Sequence, residues 1–288
     1  MISLPPMASK QLHAWKALLE VAEQIPDGWT LVGGQLVHLH VCERGGVVSR
    51  ATNDGDVVLD VRARGHILYD FTKVLKDCGF AADTSPDGLQ HRWMRGATQI
   101  DVLIPRYLGE RASQRKTVSG RPTIESPASQ QALSRSEKVQ ISLPNGVVGE
   151  ISRPNILGAL VGKAAAFQDI QVQRAAERHL EDFGIMAGLV DASDHAIFQG
   201  MNTKDLSRVT TAAGEIRNRP HLKIQFDANL NQLMSTVNGS TPLRLPTQIL
   251  AKTPSMVNIK QLCGIPVRGT TKPCVLRPLH RGYHSSTK

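Results

Sequence analysis

The chain has 288 residues, of which 41% are hydrophobic, and it is long enough to bury one large core or two smaller ones. No segment approaches the roughly 18 uncharged apolar residues of a membrane span, the N-terminus lacks the basic-then-apolar order of a signal peptide, and the four scattered cysteines form neither a disulfide framework nor a zinc-binding spacing. We therefore expect a cytoplasmic protein with no membrane partner.

The net charge of +9 is concentrated at the C-terminal end of the chain. No acidic residue follows Asp227, whereas the basic residues there are Arg244, Lys252, Lys260, Arg268, Lys272, Arg277, Arg281 and Lys288. The same segment is rich in Pro, Gly, Ser and Thr, which predicts a flexible basic tail over residues 235–288. Such a tail either adds nonspecific affinity for nucleic acid or only solvates the protein, and both interpretations stay open.

Helical and strand patterns alternate through the first half of the chain. The predicted elements are, in order, a helix around Leu12–Ala22, a strand at Trp29–Val32, a helix that follows Gly33-Gly34 and runs through about Glu43, a strand at Asp56–Val61, a helix from Ile67 to Gly79, two strands joined at Arg95-Gly96, and a strand or hairpin at Val139–Ile151. Between the last two, the basic and Ser/Gln-rich stretch from Arg106 to Lys138 predicts a long exposed loop.

From Pro154 onward the pattern becomes helical, with segments at 155–170, 173–190, 203–218 and 223–237. Strands mixed with helices first and helices afterwards indicate an α/β (α+β) fold with two parts and a cleft between them. We expect a mixed-sheet α/β domain over residues 1–150, a mainly helical lobe over 151–234, and the tail over 235–288.

Three aspartates are predicted to meet beside the mixed sheet. Asp54 and Asp56 are separated by one residue, so in a strand they project from the same face. Asp101 lies on a later strand between Ile100 and Val102, where burial of a lone charge would be costly. Repulsion between carboxylates is relieved by a cation, and Mg²⁺ binds carboxylates together with substrate phosphates. The pattern predicts a Mg²⁺ site, and two ions would suit group transfer.

The pair Gly33-Gly34 lies between a predicted strand and a predicted helix. Backbone amides at the start of a helix bind phosphate, and the helix dipole adds to that attraction. Taken alone, Gly-Gly more often marks only a turn, and "TNDGD" could itself be a hairpin turn because Asn, Asp and Gly are turn formers. Strand, glycine turn, helix and paired carboxylates together favour phosphoryl or nucleotidyl transfer from an NTP.

At this point the sequence resembles a known family. The stretches "LVGGQLVHLH", "RATNDGDVVLDV" and "QIDVLIP" resemble the nucleotidyltransferase superfamily pattern of a Gly-Gly or Gly-Ser turn, an Asp-x-Asp pair and a third carboxylate on a later strand. The stretch "LVGKAAAFQDIQVQRAAERHLEDF" is similar to the AbiEii-type branch, whose members include toxins of bacterial toxin-antitoxin systems. The resemblance covers about Trp29 to Val190 and implies a nucleotidyltransferase-like mixed sheet followed by a helical lobe.

The resemblance also implies roles for individual residues. Asp101 would complete the metal site and help to deprotonate the acceptor, while Lys163 would offset triphosphate charge. In the AbiEii-type branch a Lys is followed by an Arg and an Asp on the next helix, and here Arg174 or Arg178 and then Asp182 fill that pattern. The implied metal ligands are Asp54, Asp56 and Asp101; the catalytic residues are these three with Lys163 and Asp182; the nucleotide-binding residues are Gly33, Gly34, Gln35, Lys163 and Arg178.

Several of these residues have a second interpretation. Gln35 stands where many superfamily members carry a small or hydroxyl residue, and Gly55 stands where an apolar residue is usual, which indicates either a bulge that re-aims Asp56 or a decayed site. Lys163 is either solvated or faces the cleft from an apolar stripe. Since Ala is the better helix former, Lys163→Ala is expected to be at least as stable as the parent. Asp182 either pairs with Arg178 or takes part in function.

The activity implied is Mg²⁺-dependent transfer of NMP from an NTP to an acceptor hydroxyl. The toxin branch suggests the tRNA 3′ end as the acceptor and a cognate antitoxin as a partner. Two other classes of function stay open. One is a nucleotidyltransferase for a small molecule such as an antibiotic, which would favour an acidic acceptor pocket. The other is a non-catalytic nucleic-acid-binding or partner-binding protein with a degenerate site.

Overall fold

A computed structural model describes residues 1–48, 52–109, 113–169 and 173–239. The described residues belong to one compact unit. The part of the predicted basic tail from residue 240 onward lies outside the described residues, so its predicted flexibility stays a prediction. In the described parts of the chain, no helix combines the length and the apolar character needed to cross a membrane.

The strands are β1 (Ile2–Ser3), β2 (Trp29–Val32), β3 (Asp54–Leu59), β4 (Ala81–Asp83), β5 (Arg92–Arg95), β6 (Thr98–Pro105), β7 (Ile124–Ser126), β8 (Ser136–Ser142) and β9 (Val148–Pro154). The helices are α1 (Ser9–Gln24), α2 (Gly33–Glu43), α3 (Ile67–Asp77), α4 (Ser129–Ser134), α5 (Ile156–Asp169), α6 (Gln173–Ala187), α7 (His195–Gln199), α8 (Thr203–Arg217) and α9 (Pro220–Val237). A short 3₁₀ helix spans Ala192–Asp194.

The larger sheet is mixed, with the strand order β2-β3-β6-β5-β4 and with β7 beside β6. Strand β6 pairs in parallel with β3 and with β7. The pairs β2–β3, β5–β6 and β4–β5 are antiparallel. Burial alternates along β6, because Ile100, Val102 and Ile104 face the core. Asp101 is therefore left on the half-buried face of the sheet. A smaller sheet has the order β1-β8-β9.

The second half of the structure is helical, as the sequence predicts. Helix α5 packs against α6 and α8, and α9 packs against the same two helices. Buried residues of the sheet and of these helices belong to one continuous hydrophobic core. The mixed α/β class with helices after the sheet is confirmed, whereas the division into residues 1–150 and 151–234 stays a prediction.

Three element predictions differ from the structure. The stretch 106–138 is not one exposed loop in its described part, because it contains β7 and α4 and because Ser129 and Ala132 of α4 are buried. Helix α4 has only six residues, too few for helical periodicity to be visible in the sequence. Strand β3 begins at Asp54 rather than Asp56. Helix α9 continues to Val237 with Thr236 buried, so its last residues are not part of a tail.

Candidate active site

The predicted carboxylates lie side by side on β3 and β6. Asp56 is in register with Asp101 in the parallel β3–β6 pair, and Asp54 precedes Asp56 by two residues on the same face. This pairing is uninterrupted from Asp54 to Val58, so the interpretation of Gly55 as a bulge is wrong.

The structure gives Gly55 a packing reason. A Cβ atom on this residue would lie 3.1 Å from Leu18 Cδ1, on the face of β3 that is covered by α1. Helix α1 approaches the strand closely at this point, and an apolar side chain would force Leu18 to shift. Gly55 is thus explained by the close approach of α1 and does not in itself indicate a decayed site.

Burial and like charges make Asp56 an unusual carboxylic acid. Its pKa is raised from 3.8 to about 7, first by burial and then by the negative charges of Asp54 and Asp101. The positive charges of Lys163 and Arg92 lower the pKa and offset only part of this effect. The face of the sheet at Asp56 therefore has an excess of negative charge that a bound cation would relieve.

The other two carboxylates have hydrogen-bond donors of their own. The Thr52 hydroxyl donates to Asp54 Oδ1 over 2.7 Å. Asp101 accepts from Arg92 Nε at 3.3 Å and Nη2 at 3.4 Å, and from Gln99 Nε2 at 3.1 and 3.0 Å. Our sequence prediction did not include Arg92. The β5–β6 turn contained the signal, because pairing Arg95 with Thr98 also brings Arg92 opposite Asp101.

Gly33 lies directly against the Asp56 carboxylate at the start of α2. Its φ is +72°, and a Cβ atom there would be 1.7 Å from Asp56 Oδ2. The N-cap residue of α2 is Val32, whose apolar side chain leaves the amides of the first turn without a capping bond from that position. Gly34 is also confined, since its Cβ would lie 2.7 Å from Thr52 Oγ1. The glycine pair lets the helix start contact the carboxylates closely.

We predict that Gly33→Ala impairs the site more than a matched substitution elsewhere. Gly45 has a φ of +69° and no atom within 4 Å of its would-be Cβ. Gly45→Ala should therefore cost only the roughly 1–2 kcal/mol of a left-handed residue. Gly33→Ala should have the same cost in stability and should in addition displace the Asp56 carboxylate. Mg²⁺ or Mg²⁺-NTP should then no longer raise the melting temperature of this variant. Equal cation-dependent stabilisation of the two variants would contradict this.

Lys163 and Asp182 form a buried ion pair between α5 and α6. Lys163 Nζ donates to Asp182 Oδ2 over 2.7 Å, and both side chains are buried. Lys163 is thus not a solvated helix residue, and Asp182 has Lys163 as a partner. Arg178 is exposed on α6, and the side chain of Arg174 lies outside the described residues.

One cavity joins these elements, and we refer to it as the Asp56 cavity. It has a volume of about 320 Å³ and is lined by Gly33, Asp56 and Lys163, by apolar side chains, and by the further polar residues Glu125, Ser126, Ser129, Asp169 and His179. The apolar part of its wall comes from Val32, Val58, Leu103, Ile124, Ala132 and Ala159. A cavity with a charged end and an apolar wall suits a ligand that carries both phosphates and a planar base.

Gln35 is placed differently from the other predicted site residues. It is fully buried, and neither atom of its side-chain amide has a hydrogen-bond partner in the structure. Its Oε1 would be 3.6 Å from a Cβ atom on Gly55, which is the face of β3 opposite to Asp54 and Asp56. The structure therefore does not bring the Gln35 side chain together with the carboxylates.

The residues present suit a divalent cation in charge and in chemistry. Asp54 and Asp56 offer hard oxygen ligands on one face, and the raised pKa of Asp56 reflects a site that lacks positive charge. The third carboxylate is engaged elsewhere, since Arg92 and Gln99 bind Asp101. Within the described ranges, no three His, Cys, Asp or Glu side chains are gathered closely enough to hold one ion.

The raised pKa of Asp56 predicts an unusual pH dependence of stability for the metal-free protein. The folded state holds a proton on Asp56 up to about pH 7, while the unfolded state releases it near pH 3.8. Protonation of Asp56 thus makes its whole contribution to the free energy of unfolding below about pH 4, and this contribution is lost as the pH rises to about 7. The loss is at most about 4 kcal/mol, and remaining solvent contact reduces it.

The measurement compares the parent with Asp56→Asn by denaturant unfolding across this pH range in EDTA. The stability difference in favour of Asp56→Asn should grow with rising pH and level off above about pH 7. A difference that is independent of pH would mean that Asp56 titrates normally in the folded protein.

Comparison with known proteins gives distant structural similarity only. No protein-family model matches the sequence, and no curated protein matches it with significance. One similar solved structure is an antigenic nucleotidyltransferase-like protein from Paracoccidioides brasiliensis, with 16% identity, coverage of 83% of this chain and 97% of that chain, and a TM-score of 0.46. Another is the antibiotic-resistance factor ANT(2″)-Ia, with 13% identity, coverage of 74% and 94%, and a TM-score of 0.39.

These similarities are too low to carry a conclusion about fold or activity. Neither description names a toxin, an antitoxin or tRNA.

Proposed function

We propose that the protein is a Mg²⁺-dependent nucleotidyltransferase that moves NMP from an NTP to an acceptor hydroxyl. The observation that carries this proposal is the contact of Gly33 with Asp56 at the start of α2, where the N-cap residue Val32 offers no capping side chain, in a cavity whose wall includes Lys163. This reaction needs backbone amides that bind phosphate, carboxylates that bind a metal ion, and a cationic side chain, because its catalysis consists mainly of positioning and charge neutralisation.

Each part of the cavity has a defined task in this proposal. The first-turn amides of α2 hold the phosphates, and Asp54 and Asp56 hold Mg²⁺, which neutralises charge on the triphosphate when bound. Asp101 would be the third ligand once free of Arg92 and Gln99, and its carboxylate would help to take the proton of the acceptor hydroxyl. The acceptor oxygen then bonds to the α-phosphorus as the bond to pyrophosphate breaks. Asp182 is a positioning residue, since it contacts Lys163 rather than the cavity.

For the acceptor we propose the 3′ end of tRNA, and for the biological role a toxin of a toxin-antitoxin system. Support for both comes from the sequence resemblance in the segment that contains Lys163 and Asp182. A toxin role predicts that induced expression arrests bacterial growth and that Asp56→Asn removes the arrest. A cognate antitoxin would suppress the same arrest.

The direct test incubates the protein with total tRNA and each radiolabelled NTP, with Mg²⁺ or with EDTA. Label on RNA that depends on Mg²⁺ and is lost in Asp54→Asn supports the proposal. Label that passes instead to an added aminoglycoside identifies a small-molecule enzyme. Failure of every Mg²⁺-NTP to bind in calorimetry would overturn the enzyme proposal and leave the non-catalytic binding protein.

A further inference from the structure

A second cavity of about 300 Å³ lies next to the Asp56 cavity, and we refer to it as the Arg208 cavity. The two cavities share lining residues, among them Ser129 of α4 and Asp169 at the end of α5. A ligand in one cavity would therefore lie close to a ligand in the other. Such an arrangement suits a reaction with two substrates, because the acceptor must reach the nucleotide.

The charged residues that line the Arg208 cavity are mainly positive. Among the described residues they comprise three cations, Arg106, Lys204 and Arg208, and one carboxylate, Asp169. Asp169 accepts both bonds of a paired contact from Arg106, at 2.5 and 2.7 Å. Lys204 is exposed at the start of α8. Arg106 is thus compensated by Asp169, and Arg208 shares the buried Asp205 with Arg135, so the described charges around this cavity keep an excess of positive charge that attracts an anion.

The hydrogen-bonding capacity of this wall is also incompletely used. Arg208 Nη1 is buried without a hydrogen-bond partner, 3.6 Å from Asp205 Oδ1, while Asp205 accepts a bond of 2.7 Å from Arg135. Gln130 Oε1, on another lining residue, is a buried acceptor without a partner. Both atoms are themselves buried, so a ligand in the cavity would contact the other donor atoms of the Arg208 guanidinium, and it needs an acceptor oxygen such as that of a phosphate.

We propose that the Arg208 cavity binds the terminal phosphodiester of a nucleic-acid acceptor strand while the Asp56 cavity holds the NTP. The assignment rests on the proposed function for its role in transfer, but the anion site itself rests on the excess of positive charge at its own wall. A polycationic acceptor such as an aminoglycoside would be repelled by the same wall. The inference therefore favours a nucleic acid over an antibiotic.

The test measures binding of a short, fluorescently labelled single-stranded RNA with a free 3′ hydroxyl by anisotropy, in EDTA and without NTP. Lys204→Gln and Arg208→Gln are compared with Lys223→Gln, which removes an exposed lysine of α9 that does not line the cavity. Lys204→Gln and Arg208→Gln should bind several-fold more weakly. Their slope of log affinity against log salt should be shallower by about 0.7 for each lost phosphate contact.

Lys223→Gln should match the parent. Equal affinity and equal salt dependence in all four proteins would overturn the inference. Lys204 is exposed, so Lys204→Gln keeps the test valid even if Arg208→Gln disturbs the buried Asp205.

A second measurement separates this inference from the proposed function. Calorimetry with Mg²⁺-NTP should give the parent affinity for Lys204→Gln, whose RNA binding is weakened. If the parent binds no NTP and Lys204→Gln still loses RNA affinity, the transferase proposal fails and the anion site stands. If NTP binds, an aminoglycoside receives the label and Lys204→Gln binds RNA like the parent, the inference fails and the transferase stands.

Discussion

Asp56→Asn is expected to abolish nucleotide transfer and at the same time to raise the melting temperature of the metal-free protein. Activity is lost because Asp56 is central to the site, in contact range of Gly33 and in register with Asp101. Stability rises because the amide removes a carboxylate that burial, Asp54 and Asp101 all disfavour in its charged form. In a domain of this size, each kcal/mol should raise the melting temperature by about 2–4 °C.

The two effects are measured on the same preparation, by thermal unfolding at about pH 8 with EDTA or Mg²⁺ and by labelling of tRNA. Mg²⁺ should stabilise the parent and leave Asp56→Asn unchanged, since the variant lacks a ligand. Asp70→Asn, in an exposed position of α3, serves as the control and should keep full activity. Parental turnover in Asp56→Asn would show that the carboxylates do not carry the reaction.

Lys163→Ala is expected to lower the transfer rate by about 100- to 1000-fold, as for loss of one preorganised donor. The same substitution should also destabilise the protein, in contrast to the expectation from helix propensity alone. The reason is that Asp182 would remain as a buried charge without Lys163, which typically costs about 3–5 kcal/mol. The buried ion pair therefore corrects the stability prediction that the sequence supports.

A double variant separates activity from stability at this position. Lys163→Met combined with Asp182→Leu replaces the ion pair with apolar side chains, which is often neutral for stability or better. We expect the melting temperature to recover to near the parent value while transfer stays low. Recovery of activity together with stability would show that Lys163 supports only the packing of α5 on α6.

The sequence predicts the first part of the site because that part depends on local patterns. Strand β2 begins and ends where predicted, helix α2 ends at Glu43 as predicted but already begins at Gly33, and side-chain alternation places Asp54 and Asp56 on one face. The β3–β6 pairing that brings Asp101 beside Asp56 follows from two apolar strands joined through a helix and a hairpin. Even Arg92 could be found from the hairpin register.

The rest of the site depends on contacts between distant segments. The pattern of apolar residues within one helix does not show that Lys163 of α5 forms an ion pair with Asp182 of α6 instead of being solvated. The same holds for the inward turn of Gln35, whose amide atoms have no partner. The Arg208 cavity is formed by α4, α5 and α8, and α4 is too short to be recognised in the sequence.

Because helix α5 lines both cavities, it can couple the binding of the two substrates. It carries Lys163 on the wall of one cavity and Asp169 on the wall of both, and the two positions are about 9 Å apart along the axis. A displacement of this helix by one ligand would change the site of the other. Linkage then requires reciprocity: the factor by which an NTP changes the affinity for RNA equals the factor by which RNA changes the affinity for that NTP. A protein that binds nucleotide tightly only in the presence of RNA must also bind RNA more tightly while the nucleotide is bound.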